Sequence, residues 1–270
     1  MTDLQILVFS LIQGITEFIP VSSSGHLLAV GKVLGWEDQG LHIDVAVHIG
    51  TLLALIVYFF DKIMEYVDEG VDIIKQRKIE PRSALLSLIV GTIPIVIIGF
   101  LVKGFVSNEI RKDIIVYIIA INSIVFGVIL WLVDKYSVDN ADAKDGSLTL
   151  KQSVYMGFLQ VLALIPGVSR SGICIIGGRW FGLSRVASAE RAMLMGIPVL
   201  LGAGLLIGYD LYTQADFIIM VQFVLAIIFS FCSALFVIYF LMRWFKRSTM
   251  LVFALYRIVF GVFLLYVFYV

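Results

Sequence analysis

The chain has 270 residues, of which 60% are apolar and only 15% carry a charge. A soluble domain usually holds about 25% charged and 45–50% apolar residues, and here the charges cluster and leave long bare runs between them. Twenty basic residues against twenty acidic ones give no net field to attract a phosphate backbone, so a nucleic-acid partner is not expected. Two cysteines, Cys174 and Cys232, lie in apolar runs and form neither a disulfide framework nor a metal-knuckle spacing.

In chain order, the first apolar stretch, 4–12, is too short to span a bilayer and runs into Gln13, Thr16 and Glu17. It also lacks the basic start of a signal peptide. Residues 43–60 can span, although Asp44 and His48 interrupt them. The segment 61–82 mixes both charge signs and reads as a solvated loop, with room for a short amphipathic helix. Two clean spans follow at 83–102 and 114–133, and 134–151 is a charged linker. The stretch 153–168 is uncharged but ends in Pro166-Gly167, Ser169 and Arg170. Three more spans are expected at 192–209, 217–242 and 248–270, the last carrying Arg257, for which we expect a carboxylate partner inside the bundle. Glu190 and Arg191 open the 192–209 span and read as an interfacial pair. Pro94 and Pro198 predict kinks.

The expected fold is therefore an all-α integral membrane protein with about six transmembrane helices and two re-entrant helix-loop elements. The two broken stretches enter the membrane, break at a Pro/Gly/Ser loop and turn back. Non-helical backbone survives at that depth only when buried in protein or lining a wet cavity.

Both breaks end alike. Gln13–Gly25 and Gln160–Gly172, offset by 147, share the Gln, the Val, two Ser and the Gly. Ile124–Leu130 and Ile258–Leu264 differ at one position, offset by 134. An indel in the 61–82 segment absorbs the difference between the offsets. Two units follow, 1–134 and 148–270, each a re-entrant element plus three spans. Three is odd, so the second unit is expected upside down relative to the first, with both loops near the bilayer midplane. Loop Lys and Arg number four on the side of the N-terminus (Lys32, Lys103, Arg111, Lys112) and thirteen on the other. The richer side is expected to be cytoplasmic, with both termini outside.

Ionisable groups at membrane depth default to a functional reading. The first loop offers Gln13, Glu17, Ser22, Ser23, Ser24, Gly25 and His26, and the second Ser169, Arg170, Ser171 and Gly172. Gln13 and Glu17, four apart, share a helix face. A helix restarting after Gly25 would aim its positive end at an anion. The Arg170 fork suits phosphate. Together they describe a phosphate cradle with a carboxylate, an imidazole and hydroxyl nucleophiles. Asp44 and His48, also four apart, either line its entrance or cap a bundle-facing stripe.

The run Q-G-I-T-E-F-I-P-V-S-S-S-G-H at 13–26 resembles the first signature of the bacterial undecaprenyl-diphosphate phosphatase family, also called bacitracin-resistance protein, and P-G-V-S-R-S-G at 166–172 resembles its second. The resemblance implies a plasma-membrane phosphatase. It would cleave the terminal phosphate of a polyprenyl diphosphate and return the monophosphate carrier to cell-wall synthesis, with Mg²⁺ or Ca²⁺ as cofactor. Glu17 matches the second acidic position of the family's E/Q-x-x-x-E element and is the implied metal ligand. Gln13 stands at the first, which is Glu in many relatives, and this weakens a two-carboxylate metal site. Ser22, Ser23 and His26 match the family's Ser-Ser and His, and Arg170 its arginine. Ser23, activated by Glu17 or His26, is the candidate nucleophile, and His26 itself is the alternative. Ser24, Gly25, Ser169, Ser171 and Gly172 are the remaining substrate-binding candidates. A homodimer is compatible with this reading. The rival reading is a lipid-phosphate flippase or anion transporter using the same midplane site.

Overall fold

A computed structural model describes residues 1–36, 39–76, 83–103, 112–139, 148–212 and 217–269. The linker residues 140–147 lie outside these, as do Arg77, Lys78, Arg82 and Arg111 of the loop charge count. The described elements are helical throughout, which satisfies backbone polar groups within each segment, as hydrocarbon demands.

The first broken element is α1 (Asp3–Thr16) followed by α2 (Ser23–Val33), and α3 (Gly40–Tyr58) is the first span. The amphipathic α4 (Phe60–Gln76) follows, then α5 (Ala84–Lys103) and α6 (Lys112–Tyr136). The second broken element is α7 (Leu150–Val161), a short 3-10 turn and α8 (Arg170–Trp180), followed by α9 (Arg185–Tyr212), α10 (Phe217–Phe245) and α11 (Leu251–Tyr269).

Among the described residues, five helices are long and apolar enough to cross a membrane: α3, α5, α6, α10 and α11. The sixth expected span, 192–209, lies within α9, whose side chains at 203 and 205–212 are outside the described residues. Large apolar side chains point outward at Phe100, Phe236, Val259 and Tyr266, each about two-thirds exposed or more. That is the surface a lipid-facing protein presents.

Each broken helix starts at a capping box. Thr2 with Gln5 caps α1, and Thr149 with Gln152 caps α7. In both, the threonine oxygen takes an orphan amide of the first turn while the glutamine returns to the cap backbone. These pairs stand 147 positions apart, a further echo that the apolar pattern alone does not display. α1 packs on α10, α7 on α5, α6 on α11, and α3 on both α9 and α10. Glycines permit the closest of these contacts. A Cβ at Gly14 would sit 2.7 Å from the Ser230 carbonyl, and one at Gly157 2.6 Å from that of Gly91. Gly127 and Gly261 do the same between α6 and α11.

Three details differ from expectation. The segment after α3 is a 17-residue helix, because its apolar residues recur at helical spacing against a charged face. Glu190 and Arg191 do not pair with each other. Glu190 faces Lys62 at 4.0 Å, whereas Arg191 is buried with Nη2 at 3.5 Å from Ser153 Oγ. Arg257 does enter the bundle, fully buried, but it binds carbonyls and no carboxylate. Two chain breaks expose carbonyls that no helix uses, and a guanidinium is the donor that can reach several at once.

Candidate active site

The site is built where the two breaks meet. α1 ends at Thr16, and Glu17 continues as its C-cap in helical geometry. Pro20 cannot donate a backbone hydrogen bond, and the chain leaves the helix there. Ser22 then adopts φ 74°, its alignment partner Ser169 adopts φ 73°, and they are the positive-φ non-glycine residues of the described chain. Such a backbone costs energy and persists where the surroundings impose it, typically at functional sites. The helix restarts at Ser23, three residues sooner than expected, directly after the Ser22 turn.

Arg257 holds both breaks in place. Its Nη1 donates to the Pro20 carbonyl (3.2 Å) and the Val168 carbonyl (3.0 Å), and its Nη2 to the Gly167 carbonyl (2.8 Å). Further contacts reach the Ser123 and Asn122 carbonyls of α6 at 3.4 Å. Asn122 Nδ2 donates to the Pro166 carbonyl at 2.8 Å. At Gly167, φ 88° and a backbone contact from Ile119 leave no space for a side chain.

Glu17 lies at the centre, buried. Its Oε2 accepts from Ser23 Oγ (2.9 Å) and Gln13 Nε2 (2.9 Å), and its Oε1 from Arg170 Nη2 (2.8 Å). Arg170 Nη1 donates to the Ala192 carbonyl at 3.2 Å. The arginine lies so close to α9 that a Cβ at Gly196 would run into its guanidinium. One carboxylate thus ties a hydroxyl of the first break to the cation of the second. In the hydrogen bond seen, Ser23 can give its proton only to Glu17.

A cavity of about 270 Å³ opens on this group, lined by Glu17, Ser22, Ser23, Ser24, Ser169 and Arg170 together with His48 and apolar residues from α5 to α9. The amino end of α2 has no side-chain cap, whereas in α8 Ser169 Oγ accepts from the Gly172 amide. The first-turn amides of α2, beside three serines on the cavity wall, are left to receive an anion. Ser171 Oγ donates to the Ile19 carbonyl, so with Gly172 it braces the loops and does not face the cavity. Gly25 packs against Ile119 and Phe260.

His26 is turned away. Its Nδ1 is 2.8 Å from the Ser22 carbonyl, its Nε2 is 2.7 Å from the Tyr256 hydroxyl, and its ring stacks on Phe260 at 4.1 Å. A carbonyl only accepts, so Nδ1 carries the proton and Nε2 of the neutral ring accepts from Tyr256. Both nitrogens are engaged, and His26 does not line the cavity. Sequence reasoning placed it on the right loop but not on its outer face. His48, expected either at the entrance or on a bundle-facing stripe, lines the cavity itself.

Among the described residues, no three His, Cys, Asp or Glu side chains gather as a metal cage. A hard cation carried by a diphosphate needs less, because Mg²⁺ is commonly held by one or two carboxylates plus substrate oxygens. Gln13 fits that role alongside Glu17. It is fully buried, and its Oε1, a neutral oxygen ligand, has no hydrogen-bond partner among the described residues.

These features define a class: a multi-pass helical membrane protein with a carboxylate, serine and arginine gathered from two re-entrant breaks around one polar cavity. The comparisons narrow it. The family model described as bacitracin resistance protein BacA matches residues 6–263, and the chain belongs to that family. A protein of Alteromonas mediterranea named undecaprenyl-diphosphatase is 43% identical over 270 residues, covering 98% of each chain. One of Campylobacter curvus with the same name is 40% identical, covering 99% of this chain and all of its own. A third, from Alcanivorax borkumensis, is 40% identical over 97% of both.

Proposed function

We propose that this protein hydrolyses undecaprenyl diphosphate to undecaprenyl phosphate and inorganic phosphate. The observation that carries the reading is Ser23 Oγ hydrogen-bonded to Glu17 Oε2 while Arg170 holds the other carboxylate oxygen, all on the wall of one cavity. The full-length relatives named undecaprenyl-diphosphatase support the substrate.

In the first step Ser23 Oγ attacks the terminal phosphorus, Glu17 takes the hydroxyl proton, and the bond to the bridging oxygen breaks. The lipid leaves as its monophosphate, with the terminal phosphoryl on Ser23. Water then releases that phosphoryl. The Arg170 guanidinium and the first-turn amides of α2 face the equatorial oxygens, and such positioning and electrostatics do most of the work in phosphoryl transfer. The engagement of both His26 nitrogens favours Ser23 over His26 as nucleophile. Gln13 Oε1 and Glu17 would hold a Mg²⁺ or Ca²⁺ ion, which would supply charge neutralisation for the diphosphate.

The same reading places the enzyme in a bacterial plasma membrane with both termini outside and the first break entered from outside. It treats 1–134 and 148–270 as inverted halves of one membrane domain. The matched capping boxes, the paired φ of Ser22 and Ser169, and the packing of each broken helix on a span of the other half support the duplication. α4 accounts for the change in offset, since only four residues separate α9 from α10.

The test is release of phosphate in detergent, where no gradient exists. Purified protein with a prenyl diphosphate and Mg²⁺ or Ca²⁺ should yield phosphate and lipid monophosphate in equal amounts. Binding without cleavage would instead support a carrier.

A further inference from the structure

The phosphatase reading requires two proton transfers in opposite directions, and the groups so far described supply one. After the first step Glu17 holds the proton taken from Ser23. In the second step that proton must return to Ser23 Oγ as it leaves phosphorus. The attacking water must give its own proton to a different acceptor, because one carboxyl cannot take a proton and deliver one in the same displacement. Gln13 cannot serve, since an amide is not a base.

The cavity lining narrows the choice. Beside Glu17 it offers hydroxyls, which do not hold an extra proton, Arg170, which does not give one up, apolar side chains, and His48. His48 stands on α3 with Nδ1 2.6 Å from the Asp44 carbonyl. A carbonyl accepts only, so Nδ1 carries a proton, and in the neutral ring the other nitrogen, Nε2, is an acceptor. Among the described residues Nε2 has no protein hydrogen-bond partner, in contrast to the fully engaged ring of His26. His48 also lines a second cavity of about 300 Å³, with Gln13, Ser23, Ser24 and Asp44. His48 and Ser23 therefore border both spaces, one holding the arginine and the other leading past the Asp44 turn. The helix hydrogen bond that orients the ring is the kind of support that fixes a general base.

We propose that His48 is a catalytic residue of the second half-reaction, the base that activates water against phospho-Ser23. The inference rests on the phosphatase reading with Ser23 as nucleophile. In this step the water oxygen bonds to phosphorus and the Ser23 Oγ–phosphorus bond breaks. The water proton goes to His48 Nε2, the Glu17 proton returns to Ser23 Oγ, and phosphate leaves. His48 then passes its proton to solvent, and the site is restored.

The experiment uses full-length protein in detergent and a prenyl diphosphate labelled in the terminal phosphate, with Mg²⁺ or Ca²⁺, in rapid-quench format. In His48→Gln the first turnover should release lipid monophosphate at near the wild-type rate. Steady-state turnover should fall by about 10²–10³, the range of a general base, and label should remain on Ser23 in near-stoichiometric amount. His48→Ala should behave alike and recover turnover with added imidazole, which tests the role if the glutamine variant folds poorly. Wild-type turnover in both variants would overturn the proposal, as would equal slowing of both phases with no burst and no labelled protein. If wild-type protein releases no lipid monophosphate, the phosphatase reading itself fails, an outcome separate from either His48 result.

Discussion

Arg257 and Arg170 both stand at the two breaks, and they do opposite things. Arg257 is fully buried and spends its donors on carbonyls: two from the second break, one from the first, and two longer contacts to α6. Arg170 makes one bond to a carbonyl and one to Glu17, and faces a cavity. A cation whose donors are used up by fixed backbone is a structural clasp. A cation paired with one carboxylate at an opening retains the capacity to meet a second anion. A charge at membrane depth marks function by default, but only its partners separate holding the site from being the site.

Substitutions at these two residues should therefore split stability from turnover. Arg170→Lys keeps a charge but loses the planar fork. Removing one donor to a developing oxyanion costs about 10²–10³ in kcat, and that loss is expected with little change in the melting temperature. Arg257→Met should do the reverse. Orphaned buried acceptors cost about 1–3 kcal/mol each, so a fall of several degrees or more in the detergent melting temperature is expected, with lost activity following lost structure. Equal melting losses in both variants would erase the distinction.

Gly196→Ala sharpens it from a third position, because the atoms nearest the added methyl belong to the Arg170 guanidinium. The guanidinium must shift, and a misplacement of about 1 Å can cost roughly 10² in rate. We expect a loss of about ten- to a hundredfold in kcat, with little further loss when Gly196→Ala is added to Arg170→Lys, which carries no guanidinium for the methyl to displace.

The smallest effect on turnover is expected far from the cavity, at Asp134. That carboxylate is buried where α6, α8, α9 and α11 converge, with Arg185 Nε at 2.7 Å, Arg179 Nε at 3.4 Å and the Met250 amide at 3.1 Å. It is a buried ion network with no cavity of those described beside it, hence a second clasp. Asp134→Asn should cost about 1.5–3 kcal/mol of stability, the scale of a hydrogen bond to a charged group. Turnover per folded molecule should stay unchanged.

Much of this was legible in the sequence because hydrocarbon leaves few alternatives. Long apolar runs can only be spans, and a run that stops short at Pro, Gly and Ser must break inside protein. Glu17, Ser23 and Arg170 could be picked out because polar groups there need a reason. What stayed hidden depends on direction. His26 and Ser23 are three residues apart on one helical turn, and only the stack against Tyr256 and Phe260 turns the imidazole outward. His48 comes from a different helix, and its distance from Ser23 in sequence gives no sign of a shared cavity. Arg257 could be expected inside the bundle, but its partners are backbone oxygens, which leave no mark in a sequence. The capping boxes at Thr2 and Thr149 were visible as T-x-x-Q and signal the same duplication as the serine loops.

The central claim is that Ser23, held by Glu17 and opposed by Arg170, attacks the terminal phosphorus. Phosphate release from a prenyl diphosphate, measured for wild-type protein and Ser23→Ala side by side in one detergent at matched melting temperature, tests it most directly. Removal of a nucleophile in a preorganised site costs on the order of 10³ or more in kcat, and a loss of that size is expected. A Ser23→Ala protein that releases phosphate at the wild-type rate would contradict it.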